Sequence, residues 1–386
     1  MRILVVTNLY PPQELGGYGR CISDFVWGLQ RRGHQLQVLT SDAPYLGAGG
    51  DGPSGEPVDR RLQLKGSFKA GVQHLQDLKQ RLCCDRINAE LVDYWLSRGP
   101  WDGILLGNLD LLGVELLQML LRPAIPLLHH VGFVDPPYDP KDWPVSRHYR
   151  LVAASMAVRQ SLMNAGLPVS NVPVVYPGAR VDLFGPSATG RDWPGLPDGT
   201  SARPLRICFA GLMMSSKGPH TVLEAVDRLV KLGLEVHAMF AGGHFQSEYI
   251  QRMKSFIHGR GLESRVILLG NLKRDQLARF FSLHHVAVFP SIYPEAFGIV
   301  AAEAMASGLA LVSSGAGGAS EVFEHGKTGF RFQPGNADEL VAVLKALCAH
   351  SDLLDSVRIR GSMRVREAFS VEAACCALEH LFLTSQ

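Results

Sequence analysis

Residues 290–303, PSIYPEAFGIVAAE, carry two carboxylates eight positions apart, Glu295 and Glu303, around a proline-rich turn and a glycine. The apolar run Val286–Phe289 before them reads as a buried strand, and Pro290, Ser291 and Pro294 mark the turn. A helix is expected to open near Phe297 or Gly298. The first turn of a helix offers backbone N–H groups without intrahelical acceptors and the positive end of a dipole, and Gly298 lets a ligand come close to the main chain. Those features suit a phosphate or diphosphate. Taken alone, Glu295 also reads as a helix-capping carboxylate and Glu303 as a solvated helix residue. Glu303, however, stands in the small, apolar run IVAAEAMASG, where burying a lone carboxylate is costly. A partner is therefore expected for it, such as a sugar or ribose hydroxyl.

Elements that position this stretch alternate between strand and helix. Upstream, Leu205–Ala210 reads as a strand, GLMMSSKG as a loop, and a helix follows from about Pro219, where proline suits the first turn. Strands are expected at Val236–Ala241 and 266–269, and helices at 246–258 and 274–282. Downstream come a strand at 309–313, a glycine loop GAGGAS, and three helices from about Asn336. The N-terminal part has the same rhythm, with strands at 2–7, 34–40, 104–106, 126–131, 151–154 and 172–176 and helices at 21–30, 67–96 and Met156–Asn164. Continuous apolar strands between helices predict an α/β, doubly wound fold with parallel sheets. Residues 185–204, rich in Gly, Pro and Ser, read as a linker. The expected division is 1–184, linker 185–204, 205–369, and a closing helix at 370–386 that packs back on the N-terminal domain.

With 386 residues, 46% of them hydrophobic, the chain is long enough for two core-bearing domains. Its net charge of +2 points to no nucleic-acid partner. The seven cysteines are scattered without a CxxC, which fits a reducing compartment and neither a disulfide framework nor a zinc site. No run approaches the length of a membrane span, and MRILVVTNLY is wrongly flanked for a signal peptide. The expectation is a cytoplasmic protein, at most peripheral to a membrane. Lys69, Lys79, Arg81, Arg86 and Arg98, on or near the helical region at 67–96, form a solvated face or a contact for a membrane surface or anionic acceptor.

Two further N-terminal features bear on chemistry. Gly16, Gly17 and Gly19 come nine or more residues after Thr7, and GGYG is not GxGxxG, so a dinucleotide fingerprint does not fit. They read as a plain loop, or as a flexible pair letting backbone approach a substrate phosphate or sugar. His129 and His130 sit at a strand's carboxyl end, where neighbours point to opposite faces, so at most one easily reaches a ligand. Residues 43–57, rich in Gly and Pro, are either disordered or an acceptor-side flap. Tyr10, Tyr18, Phe133 and Tyr138 are able to stack on a sugar, though packing explains them as well.

Together YPPQELGGYGR, RRGHQLQVLT, VAASMAVRQSLMNAGLP, YPGARVDLF, GLMMSSKG, PSIYPEAFGIVAAE and GGASEVFEHGKTGF resemble, in order, the large retaining glycosyltransferase family 4, whose members have the GT-B architecture of two facing Rossmann-like domains with a central cleft. The resemblance implies transfer of a hexose from a UDP- or GDP-sugar to a hydroxyl acceptor. It assigns Glu303 to the ribose hydroxyls and Glu295 to the transferred sugar. Phe297, Gly298, Ile299 and Val300 supply the helix start at the diphosphate, and Lys217 neutralises it. Gly16, Gly17 and Gly211 are further donor contacts. A histidine contacts the transferred sugar, His130 in preference to His129 because it is nearer the turn. No metal or other cofactor is implied. The family commonly has an arginine where this chain has Leu212, so either another basic residue, Arg20 or Arg274, reaches the diphosphate, or phosphate binding is weaker and relies on Lys217 and the helix dipole. The alternatives are another GT-B enzyme, such as a sugar-nucleotide epimerase or an inverting transferase, and a sugar-nucleotide-binding protein without turnover.

Overall fold

The computed structural model describes residues 1–69, 71–185, 195–243 and 247–385. The chain divides into two units, 1–177 with 371–386, and 178–370.

In the first unit, strands β1 (Arg2–Val6), β2 (Gln35–Ser41) and β3 (Val58–Leu62) are followed by a short hairpin, β4 (Gly66–Ser67) and β5 (Gln73–His74). Then come β6 (Gly103–Leu106), β7 (Leu127–Val131) and β8 (Tyr149–Ala153). The main sheet has the order β3-β2-β1-β6-β7-β8, parallel throughout. Runs such as GILL in β6 are buried along their whole length, as a parallel sheet covered on both faces requires. Its helices are α1 (Tyr18–Arg31), α2 (Leu78–Leu96), α3 (Val114–Leu120) and α4 (Met156–Asn164). Helix α1 buries Ile22, Phe25, Val26 and Leu29 completely. The closing helix Val371–Leu383 lies against it so closely that a Cβ on Gly28 would meet Cys375 Sγ at 2.5 Å.

The second unit repeats the plan. Strands β9 (Leu205–Ala210), β10 (Val236–Ala241), β11 (Val266–Gly270), β12 (Val286–Phe289), β13 (Ala310–Ser313) and β14 (Phe330–Arg331) form a sheet of order β11-β10-β9-β12-β13-β14. The helices are α5 (Val181–Phe184), α6 (Pro219–Lys231), α7 (Ser247–Gly259), α8 (Arg274–Ser282), α9 (Ile299–Ala306), α10 (Ala337–Ala349) and α11 (Ser351–Ala368). Ile207, Phe209, Val222, Val226, Phe240 and Leu344 are at the centre of its core.

Four expectations need correction. The helix predicted at 67–96 begins only at Leu78, where Asp77 accepts the backbone N–H of Lys79; the residues before it form the hairpin. The strand predicted at 172–176 is reduced to one bridge, between Ala153 and Val174, because Pro173 and Pro177 cannot donate to a ladder. The units meet at 177/178, earlier than 184/185, because α5 belongs to the second core: Phe184 is fully buried, 6.1 Å from the ring of Phe281. Of the expected linker, 186–194 lie outside the described residues and 195–204 stay with the second unit. Finally, the loop at 43–57 is tied down. Gln13 Nε2 donates to Asp42 (2.7 Å) and the Gly47 carbonyl (3.1 Å), and Arg60 donates to the carbonyls of Tyr10 and Pro11. Glu56, wholly buried, accepts from the Tyr10 hydroxyl, which spends that ring on packing.

Candidate functional site

In each sheet the strand order reverses direction beside its first strand, so the loops leaving β9 and β12 flank the crevice where open α/β sheets collect ligands. After β9 the chain turns at Gly211, whose N–H bonds the Ala241 carbonyl at 2.9 Å. A Cβ on Gly242 would stand 1.7 Å from the Gly211 carbonyl oxygen, so the two loops touch backbone to backbone. A 3-10 turn, Ser215–Lys217, then leads through Gly218 (φ +68°) into α6. The Ser216 carbonyl accepts the N–H groups of Ile292 (2.8 Å) and Tyr293 (3.2 Å), which fixes this turn against the loop after β12.

That contact brings Lys217 to Glu295. The ammonium Nζ lies 2.6 Å from Oε1 and 2.8 Å from Oε2, and the Ser291 hydroxyl also donates to the carboxylate. The main chain of Glu295 is held by the loop after β13: its N–H donates to the Ala316 carbonyl (3.1 Å), and Gly318 N–H donates to its carbonyl (2.7 Å). Glu295 is thus no capping residue. Gly298, at φ +97°, is the N-cap of α9, and no side chain caps that end. Ile299 and Val300 form the half-buried first turn, while the Phe297 side chain packs on Phe369 with ring centroids 5.6 Å apart.

Glu303 is completely buried, which removes the reading of a solvated helix residue. Within the protein it accepts from a guanidinium: Arg274 Nη2 donates to Oε1 at 3.2 Å, with the guanidinium carbon 5.6 Å from the Phe184 ring centroid. The two glutamates of the stretch 290–303 are thus each paired with a cation, Glu295 with Lys217 and Glu303 with Arg274.

The remaining expected site residues belong to the first unit. Gly17 is the N-cap of α1, Gly16 precedes it at φ +70°, and Arg20 pairs with Glu14 at 3.1 Å. Both arginines considered as substitutes for one at Leu212 thus hold a carboxylate. His129 and His130 lie inside β7, both buried. His129 Nδ1 is 2.9 Å from the Tyr149 hydroxyl, which meets the Tyr138 hydroxyl at 2.6 Å, so Tyr138 serves packing. His130 Nε2 is 2.9 Å from the Val175 carbonyl, and its ring stands edge-on to Phe25. Burial lowers His129 to about 3 and His130 to about 4, so both are neutral at pH 7. Both also border a cavity of about 100 Å³ with Gly107, Asn108, Asp110 and Phe133, so nearness to the turn does not separate them.

Ser291, the Ser216 carbonyl and the backbone at 316–318 position the carboxylate and were not singled out from sequence. The glycine loop GAGGAS was the available signal: Gly317 needs φ +62°, and a Cβ there would stand 2.4 Å from the Glu295 carbonyl oxygen. Among the described residues no three His, Cys, Asp or Glu side chains gather as a metal-ligand set.

Residues 199–361 match the family Glycosyl transferases group 1. The chain is 23% identical to an uncharacterized glycosyltransferase of Methanocaldococcus jannaschii over 88% of this chain and 87% of that one. It is 32% identical to a D-inositol 3-phosphate glycosyltransferase of Xylanimonas cellulosilytica, over 44% of this chain and 41% of that one. Among solved structures, Anabaena HepE in complex with UDP superposes with a TM-score of 0.76 at 20% identity, with both chains covered in full. That likeness is one of fold, the GT-B arrangement of two Rossmann-like domains.

Proposed function

Since the chain belongs to the group 1 glycosyl transferases, we propose that it moves a hexose from a UDP- or GDP-hexose to a hydroxyl acceptor with retention of anomeric configuration. The observation that carries this reading is the Lys217–Glu295 pair, built from three loops at the carboxyl edge of the second sheet beside the start of α9, which no side chain caps. The donor diphosphate lies over that helix start, where backbone N–H groups and the dipole favour an anion. Lys217 supplies the positive charge as the bond from the anomeric carbon to the phosphate oxygen breaks. The acceptor oxygen bonds to that carbon on the same face, and its proton passes to the departing diphosphate.

Glu295 takes hydroxyls of the transferred hexose and Glu303 those of the ribose. His130, with His129 as the alternative, meets the hexose as a neutral imidazole, and Gly16 and Gly17 approach the donor through backbone. Stabilisation by an ammonium and a helix start calls for no metal ion. HepE was solved with UDP, which makes UDP the first nucleotide to test. The test is calorimetric titration of UDP and GDP, with and without EDTA, into the wild type and Glu303→Ala. The expected result is metal-free binding of one nucleotide that the variant weakens, followed by an anomer-retained product in NMR. Binding of neither nucleotide, or an inverted product, overturns the reading.

A further inference from the structure

The N-terminal half of α2 presents side chains that neither core uses. Leu78 is 63% exposed and Leu82, one turn on, 58%; Val72, beside the hairpin strand β5, is 58% exposed. Lys79, Cys83 and Arg86 share the outward side with the two leucines, at helical spacings of three, four and seven, and all three are exposed. Within 69–86 each acid has a partner in the protein, and exposed Glu90 follows one turn beyond Arg86. Asp77 caps the helix, and Asp85 pairs with the buried Lys65 at 3.0 Å. The C-terminal half of the helix is anchored: Leu91 and Val92 are buried, and Asn88 bonds both backbone groups of Gln63. One end of α2 is thus fixed while the other carries leucines and cations outward.

We infer that this face, from Val72 and Lys69 to Arg86, docks on an anionic lipid surface. Leucines flanked by Lys and Arg are the pattern of a helix lying in a bilayer interface: the aliphatic tips enter the acyl boundary and the long basic side chains reach the phosphates. A protein partner fits less well, because lysine is depleted and aromatic residues enriched at protein interfaces, whereas this face offers lysine and aliphatic side chains. The face belongs to the first unit and shares no residue with the donor site assigned in the second, so the inference stands independently of those roles.

The test uses the full chain with Cys376→Ser, which leaves Cys83 as the exposed thiol; Cys84 is half-buried, and burial raises its pKa, so it reacts more slowly. A polarity-sensitive fluorophore on Cys83 is titrated with vesicles of phosphatidylglycerol and phosphatidylcholine and with vesicles of phosphatidylcholine alone. The expected result is a blue shift with the anionic vesicles only, reversed by high salt. Each cation at the surface contributes about fivefold to partitioning, so Lys79→Gln with Arg86→Gln lowers it by roughly 30-fold. Leu78→Ser with Leu82→Ser abolishes the blue shift, and UDP affinity is unchanged in both double variants. No sedimentation with anionic vesicles overturns the inference. So does equal binding to neutral vesicles, sedimentation without a change at Cys83, or burial of the fluorophore by a second copy of the chain or a protein partner.

Discussion

Replacing Glu303 by glutamine separates a ligand contact from a structural one. The carboxylate is wholly buried and accepts from Arg274 at 3.2 Å. Glutamine keeps the volume and one acceptor oxygen but removes the charge opposite the guanidinium. A fully buried pair broken in this way costs about 3–5 kcal/mol. The Arg274 side chain keeps 21% of its surface in water, so the expected loss is smaller, about 1–2 kcal/mol of folding stability. Hydrogen bonds to a charged acceptor contribute about 1.5–3 kcal/mol against about 1 for a neutral one, so ribose binding weakens by about 1–2 kcal/mol, a rise in the UDP Kd of roughly 5- to 30-fold. Calorimetry with UDP and urea unfolding at the same pH read the two effects separately. Loss of stability with a UDP Kd within about twofold of wild type would make Glu303 only the partner of Arg274 and refute the ribose assignment.

Lys217→Ala is expected to lower kcat by on the order of 100- to 1000-fold, with a smaller change in donor KM, measured by nucleotide release; unchanged turnover removes its role. Glu295→Gln should narrow the difference in affinity between the UDP-hexose and UDP, compared by calorimetry, and a difference equal to that of the wild type counts against its contact with the sugar. Gly242→Ala forces a Cβ to 1.7 Å from the Gly211 carbonyl oxygen at φ +149° and should cost about 2–4 kcal/mol in urea unfolding. Gly243→Ala, with nothing within 4 Å of its Cβ, should cost far less, and equal effects would contradict the packed pair of loops. Buried His129 is lowered to about 3 and His130, His284 and His285 to about 4, so the unfolded chain binds more protons between those values and 6.5. Their stabilisation is complete above pH 6.5 and lost as pH falls from there, by roughly 1–2 kcal/mol per histidine at pH 5. A urea midpoint unchanged between pH 7 and pH 5 would contradict the burial of these rings as neutral species.

Both sheets were legible because parallel strands buried on two faces leave continuous apolar runs, as in Arg2–Val6 and Val286–Phe289, and the intervening helices carry an apolar stripe. Edge elements were not: VDRRL at β3 and the two-residue strand β14 are polar or too short to show a period, and the bridge at Val174 sits between prolines that mask its pairing. In the site, the residue types were readable, but their partners were not. Nothing local to Glu303 points to Arg274, 29 positions earlier, or local to Lys217 to Glu295, 78 positions later. The Lys217–Glu295 pairing depends on β9 and β12 lying side by side, and the Arg274–Glu303 pairing on α8 packing against α9, facts that distant stretches of chain express only once folded.

The charge arrangement explains why Leu212 does not by itself argue against a diphosphate. Lys217 and Arg274 oppose Glu295 and Glu303, so both of these cations already have an anion, and Arg20 in the other unit is held by Glu14. A nucleotide alone must draw Lys217 from a carboxylate that holds it through both oxygens. A nucleotide sugar brings hydroxyls that donate to Glu295, and Ser291 already donates to the same carboxylate, so the negative charge stays satisfied as the ammonium turns to the phosphate. On the proposed mechanism, recognition of the hexose and charge stabilisation of the leaving group are one exchange at Glu295. The positive charge is then presented only when a sugar is there to transfer, and that coupling is what Glu295→Gln would remove.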